Sequence, residues 1–218
     1  MDTLTTPPPP KEIRIAPPNI QTLPVRIVGT APLVIAAFSA KAQNAMKAKH
    51  EAGSTARSRR TREARDFRAD CANALHVSND GWHGFPAVGL KLAMVSACRT
   101  TGFTMTAAKL GLFVQPDGLD RVTGAPLLRI HSTEPYEETI LPTRNATGVF
   151  DLRARPMWRQ WHMDVRVSFD ADLLTATDIA NLLARAGLQV GIGEGRADSK
   201  KSCGAGWGSF RVEAMPSD

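Results

Sequence analysis

The stretch Val165-Arg166-Val167-Ser168-Phe169, followed by Thr175-Ala176-Thr177-Asp178-Ile179-Ala180-Asn181-Leu182-Leu183-Ala184-Arg185-Ala186-Gly187, decides how the chain is read. Val165, Val167 and Phe169 alternate with Arg166 and Ser168, the period-two pattern of a half-buried strand. Thr175 with Asp178 reads as an N-terminal cap, because a hydroxyl can accept from an amide that the first helical turn leaves unpaired. Ile179, Leu182, Leu183 and Ala186 recur at helical spacing, and Gly187 is expected to stop the helix. Leu188, Val190 and Ile192 then alternate into an expected strand or extended turn, and Phe210 and Val212 alternate in a last strand.

Outward from this unit the same signals recur. Val25-Arg26-Ile27-Val28-Gly29 reads as a strand, and Leu33 to Phe38 as a second extended piece after Pro32. Asn79-Asp80-Gly81 and Gly84 mark turns. In Phe85 to Arg99, Pro86 suits a first helical turn, and Leu90, Met94, Ala97 and Cys98 fall on one face of an amphipathic helix ending near Gly102. Leu110 to Val114 and Leu127 to Ile130 read as strands, and residues 132–162 as turn-rich. The order is strand, insertion, helix, strand, insertion, strand, helix, strand. That is the split β-α-β-β-α-β pattern of ferredoxin-like folds and RNA-recognition modules, an α+β core with an antiparallel sheet and two helices on one face. The expected organisation is a proline-rich flexible arm at 1–22, one domain over 23–214 with insertions at about 40–84 and 116–162, and a tail at 215–218.

Composition bounds the function. With 218 residues, 43% hydrophobic and 22% charged, the chain suits one globular domain and excludes a collagen-like repeat, a coiled coil or a wholly disordered polymer. Its longest apolar run, Ala31 to Phe38, is far short of the roughly 20 residues that span a bilayer, so no membrane partner is expected. Met1-Asp2-Thr3-Leu4 followed by prolines is no secretory signal. Cys71, Cys98 and Cys203 are odd in number and lack CxxC spacing, which reads as reduced thiols in a cytoplasmic protein. No cofactor and no metal is expected, since Cys71, His76 and His83 match no common zinc spacing.

The charge is local. Residues 41–68 hold nine of the 27 basic residues (Lys41, Lys47, Lys49, Arg57, Arg59, Arg60, Arg62, Arg65 and Arg68) but only three of the 21 acidic ones, which leaves 18 of each sign elsewhere. The whole net charge of +6 therefore sits in one segment. Such a segment attracts polyanions by releasing their counterions; its plain alternative is a solvated arm. A second signal is Arg144, Arg153, Arg155 and Arg159 interleaved with Phe150, Trp158 and Trp161. Arginine pairs bidentately with phosphate and tryptophan can stack on a base, although tryptophans can equally anchor an insertion to a core. A third is Gly187 to Gly208, where Gly191, Gly193, Gly195, Gly204, Gly206 and Gly208 accompany Arg196, Lys200 and Lys201. Glycine lets a second backbone come close, and amides beside basic side chains can hold phosphate. The spacing is neither a P-loop nor a dinucleotide fingerprint.

The helix followed by Val190-Gly191-Ile192-Gly193-Glu194-Gly195-Arg196 and Cys203-Gly204-Ala205-Gly206-Trp207-Gly208-Ser209-Phe210-Arg211-Val212 resembles the glycine-rich loop and last strand of the RAMP superfamily of CRISPR-associated proteins. Val28-Gly29-Thr30-Ala31-Pro32-Leu33 looks like the opening strand of its backbone, RNA-coating members. Phe85-Pro86-Ala87-Val88-Gly89-Leu90-Lys91-Leu92-Ala93 looks like their helix start, and there is a fainter likeness to phage-encoded proteins. Trp207 and Ser209 depart from the aromatic and basic residues common in the family loop.

The resemblance implies a subunit that polymerises along single-stranded RNA or DNA in a bacterial or phage-infected cell. The first insertion would be a finger-like element and the second a thumb touching the next copy. Lys91 joins the expected contacts through its place in the helix start. Target-cleaving relatives carry an aspartate soon after the first strand, where this chain reads Phe38-Ser39-Ala40-Lys41-Ala42-Gln43, so non-catalytic binding is expected. The alternatives are a metal-independent endoribonuclease, for which His83 is the one weak candidate base, and a phage structural or recombination-associated protein with a basic arm.

Overall fold

The computed structural model describes residues 15–38, 40–51, 53, 65–144, 150–198 and 205–215. Its elements are β1 (Ile20–Gly29), β2 (Leu33–Val34), α1 (Ala40–Glu51), α2 (Phe67–Ala72), β3 (His76–Val77), β4 (His83–Pro86), α3 (Ala87–Ala97), α4 (Met105–Gly111), β5 (Leu112–Gln115), β6 (Gly118–Leu119), β7 (Pro126–Arg129), β8 (Glu137–Arg144), β9 (Phe150–Trp158), β10 (His162–Asp170), α5 (Ala176–Arg185) and β11 (Phe210–Ala214). The fold is α+β. Three antiparallel sheets form, in the orders β11-β1-β10-β5, β2-β9-β8 and β3-β4-β7-β6.

The first sheet carries the core. Its strands follow the chain as β1, β5, β10 and β11, so in space the fourth lies beside the first, then the third, then the second. β1 and β10 pair from Ile20 opposite Asp170 to Val28 opposite His162. Alternation then sorts the faces: Val25, Ile27, Met163, Val165, Val167 and Phe169 are buried. α3 packs on β5, α5 packs on β1 and β11, and the two helices touch. Full burial of a large apolar side chain contributes about 1.5–3 kcal/mol, so this helix-covered face holds the sheet. The other face is polar. Arg26 clamps Asp164 through Nε at 2.6 Å and Nη2 at 2.9 Å, and Ser168 lies 2.9 Å from the Thr22 hydroxyl.

Several elements differ from their sequence reading. β1 begins at Ile20, so residues 20–22 belong to the sheet and not to the arm. α3 is apolar nearly all round, since Val88 and Leu92 on its exposed side are hydrophobic as well, so it is not amphipathic. α4 went unread because it is two turns long; the Thr104 hydroxyl caps it by accepting from the Ala107 amide. Residues 137–158, read as turn-rich, form the β8–β9 ladder from Glu137 opposite Met157 to Arg144 opposite Phe150. Gly84 lies in β4, not in a turn. The Thr175–Asp178 capping box is present as read.

Gly187 does not stop the helix. The chain continues past Arg185 through a wider turn, Ala186–Val190, so Leu188 and Val190 are not in a strand. The glycine is there for closeness: a Cβ on Gly187 would lie 2.1 Å from the carbonyl oxygen of Phe210 in β11. Gly187→Ala is expected to lower stability by about 1–3 kcal/mol, the range for overpacking a tight contact. Gly111→Ala, at a helical position whose new Cβ would meet only the flexible end of Leu173 at 3.1 Å, is the milder control. Equal urea midpoints for the two variants would remove this account of the helix end.

Candidate nucleic-acid interface

The glycine loop is built by close backbone approach. Gly191, Gly193, Gly195, Gly206 and Gly208 all have positive φ, which side-chain-bearing residues resist. The loop closes on itself through the Ile192 amide, which donates to the Gly208 carbonyl at 3.0 Å. It also seats on the chain after β1. The Glu194 amide donates to Val34 at 2.9 Å, and the Gly208 amide donates to Pro32 at 2.7 Å. A Cβ on Gly193 would stand 2.4 Å from the Val34 oxygen. The Gly191 amide donates to Ala186 at 2.8 Å, and Arg196 donates to the Gly193 carbonyl at 3.1 Å. The expectation that the loop offers its amides to phosphate is therefore corrected for Gly191 and Gly208, whose N–H groups are used inside the protein. Gly195 makes room for the Trp207 ring, 2.2 Å from where its Cβ would be. Lys200, Lys201 and Gly204 lie outside the described residues.

The arginines of both expected insertions gather around β9. α2 packs on β9 and β8. Arg65 reaches Asp70 at 2.7 Å and Asp151 at 3.0 Å, and Arg68 lies 3.8 Å from Glu138. Arg153 faces Asp151 at 3.7 Å, and Arg159 donates to Glu137 at 2.7 Å. Arg155 donates to Glu194 at 2.5 Å and so ties β9 to the glycine loop. Three regions separated in sequence thus meet: the base of the first insertion, the β8–β9 hairpin and the loop seated on β2. Lys91 is not among them; its ammonium sits over the Phe113 ring, 4.9 Å from the centroid. Lys47 is exposed and 3.9 Å from Glu51. Lys41 and Lys49 lie in α1, and Arg144 ends β8. Arg57, Arg59, Arg60 and Arg62 lie outside the described residues.

Trp158 and Trp161 are each 3% exposed, which corrects the expectation of stacking planes. The Trp158 ring packs near His83 and Tyr136, with centroids 5.9 and 5.6 Å away. The Trp161 indole donates to the Ala31 carbonyl at 2.9 Å and fills the space that a Cβ on Gly29 would need. Both tryptophans anchor the second insertion to the core. His83 is packed as an aromatic, and burial, with Arg121 nearby, holds its pKa below the usual value. Cys71 and Cys98 are free thiols in the interior, and burial pushes Cys71 up to about 11, out of the nucleophilic range. Among the described residues no three His, Cys, Asp or Glu side chains could hold a metal ion together, and no helix is long and apolar enough to cross a membrane.

One group escaped the sequence reading. Trp82, Asp117, Arg129, His131, Asp164 and Arg166 line a cleft of about 290 Å³ on the polar side of the first sheet. The signal lies in the sequence, since Leu127, Arg129 and His131 alternate, but the turn residues that follow Ile130 hide where the strand leads. No family model matches this chain, and no curated protein matches it in sequence.

Two outcomes follow from this geometry. Arg155→Met is expected to lower stability by about 1–3 kcal/mol, because Glu194 then keeps a partly buried charge without its partner. An unchanged urea midpoint would show that the pair does not hold the loop. The second concerns pH. His83 and His162 are held below their usual pKa, chiefly by burial. The unfolded chain therefore binds more protons as pH drops through about 6.5, and stability falls on going from about pH 7.5 to 5. A further loss begins as pH drops below the ordinary carboxylate value, where the unfolded chain takes a proton on Asp198 while the folded one, held at about 2 by hydrogen bonds from Arg99 and Ser96, stays ionised. Urea midpoints from about pH 7.5 down to about pH 2 test both steps, and His83→Phe should flatten the upper one.

Proposed function

We propose that this chain is a non-catalytic, largely sequence-independent single-stranded nucleic-acid-binding protein on a ferredoxin-like core, whose copies line up along an RNA or DNA strand. The fourth-first-third-second strand order, with α3 ahead of the second strand and α5 ahead of the fourth, supports the ferredoxin-like reading. The resemblance of the glycine loop and of the Phe85–Ala93 helix start to the RAMP superfamily supports the assembly.

The observation that carries the reading is the meeting of both arginine-bearing insertions at β9, joined to the glycine loop by Arg155 and Glu194. The carboxylates there do not argue against binding. Exposed ion pairs such as Arg68–Glu138 and Arg159–Glu137 are worth about 0–1 kcal/mol, so a phosphate that takes up either arginine bidentately can displace its partner at little cost. The uncompensated charge lies next to them in sequence, where Arg57, Arg59, Arg60 and Arg62 have only Glu63 among them. His83, the base an endoribonuclease would use, is packed against Tyr136 and Trp158, which favours the non-catalytic reading.

Fluorescence polarisation with a labelled 40-mer tests it. The logarithm of affinity should fall linearly with the logarithm of salt, at about −0.7 per phosphate contacted. Replacing Arg57, Arg59, Arg60 and Arg62 together by alanine should reduce the slope by about 3. Sedimentation should show large particles only when strand is present. An affinity indifferent to salt sinks the proposal.

A further inference from the structure

The cleft on the polar face is built from two sheets that meet at a corner. His131 and His162 form an isolated antiparallel bridge, each amide donating to the other's carbonyl at 2.9 Å. Their imidazoles stack, with centroids 4.9 Å apart and planes 11° from parallel. From this corner β7 runs away carrying Arg129, and β10 runs away carrying Asp164 and Arg166. Trp82 closes the far side. Its indole lies on Gly84 and Gly118, where a Cβ would stand 3.0 or 2.8 Å from the ring, and Leu127 is fully buried next to it. The two glycines thus hold an aromatic wall on the cleft.

The charges are sorted. Asp164 is clamped by Arg26, and Asp117 accepts from Arg166 at 3.0 Å and from the Arg129 amide at 2.9 Å. Both carboxylates are therefore neutralised by partners that leave the cleft's remaining donors unspent. The Arg129 guanidinium makes no hydrogen bond or ion pair among the described residues, and neither do the ring nitrogens of His131 and His162. Glu213 of β11 also acts on Arg26 and His162, but Arg211 pairs with it at 2.7 Å. Four arginines against three carboxylates leave a single positive excess. A planar five-donor cation, the His131 imidazole and an indole around one small cavity are the groups that recognise an oxyanion attached to a ring. At about 290 Å³ the cavity is at the small end for ligand sites, room for one such unit.

We propose that this cleft binds a single nucleotide-type ligand, a phosphate monoester on a flat aromatic ring, with Arg129 and His131 taking the phosphate, His162 stacked on His131 to hold its imidazole in place, and Trp82 taking the ring. None of its lining residues belongs to the β9 interface, so the proposal stands apart from strand binding. A free mononucleotide and the phosphorylated end of a strand offer the same chemistry, and the test separates them.

Calorimetric titration of the full chain with adenosine 5′-monophosphate should give one site per chain. Arg129→Gln should weaken it at least about tenfold, the loss expected for one charge-assisted hydrogen bond. Because this exposed side chain makes no hydrogen bond or ion pair among the described residues, the variant is expected to keep its fold and its urea midpoint. Trp82→Leu should also weaken binding, and Trp82→Phe should restore part of it. Adding sulfate at a fixed pH should shift the ring-proton resonances of His131, which lines the cleft. A short oligonucleotide with a 5′-phosphate should compete with the mononucleotide, and one without should not, if strand ends are the source; if neither competes, the free nucleotide is. The alanine replacement at 57–62 should leave this affinity untouched even where strand binding is lost. Adenosine binding as tightly as its monophosphate, an Arg129→Gln affinity equal to the unaltered protein's, or no heat at millimolar ligand would each overturn the proposal.

Discussion

Backbone hydrogen bonds made possible by glycine seat the last loop on the chain around β2. Gly208 donates to Pro32 and Glu194 to Val34, and Ile192 donates back to Gly208 to close the loop on itself. Pro32 precedes β2 and Val34 ends it, and β2 pairs with β9, which carries the whole β8–β9 hairpin. The glycine loop therefore fixes the hairpin's root. The distances leave no room for another residue type. A Cβ on Gly208 would stand 1.7 Å from the Ile192 oxygen, nearer than any non-bonded contact allows. Glycine here is required by backbone meeting backbone, a cause different from exposure of amides to a ligand.

This changes the meaning of the arginines around the loop. Arg155 and Glu194 are each largely covered, with side chains 14% and 22% exposed, so their pair acts with the backbone bonds to keep the loop on β9. Arg68 and Arg159 are 88% and 61% exposed, and their pairs are screened by water. Under the proposed function the covered pair sets geometry and the exposed ones meet the ligand. The surplus charge next to α2 brings the polyanion in. These jobs ask for different burial, which is why one residue type serves all three.

The sheet that organises the molecule was legible in the sequence. β10, α5 and β11 announce themselves by period and cap, and β1 by the alternation of Val25 and Ile27. The convergence at β9 was not legible, because β8 and β9 bury little along most of their length. Ile140 and Leu152 are each 52% exposed, Pro142 is exposed too, and only the Ala154–Trp158 end enters the core. A ladder that buries so few of its own residues carries little alternation to read. Trp158 and Trp161 misled for a related reason: adjacent arginines suggest a stacking surface, whereas the rings close the seam between hairpin and sheet. The cleft at His131 and His162 depends on a bridge between residues 31 positions apart, and nothing local encodes it.

The polar face of the first sheet also explains where a strand should not lie. RNA-recognition modules that bind on the open face of such a sheet stack bases on aromatics of the central strands. Here the central strands are β1 and β10, and that face holds Thr22, Arg26, Asp164 and Ser168 joined to one another in cross-strand pairs. The one exposed aromatic of the sheet, Phe113, is on the edge strand β5 beneath Lys91. A strand laid across this face would have to break the Arg26–Asp164 clamp and would find no exposed Phe, Tyr or Trp on the two central strands in return. The cost of uncovering a half-buried carboxylate exceeds what an unstacked base can give back. The same clamp that closes this face to a strand keeps Asp164 ionised with its charge balanced by Arg26, and under both proposals the corner at His131 is left to one small anion while the long polyanion goes to β9.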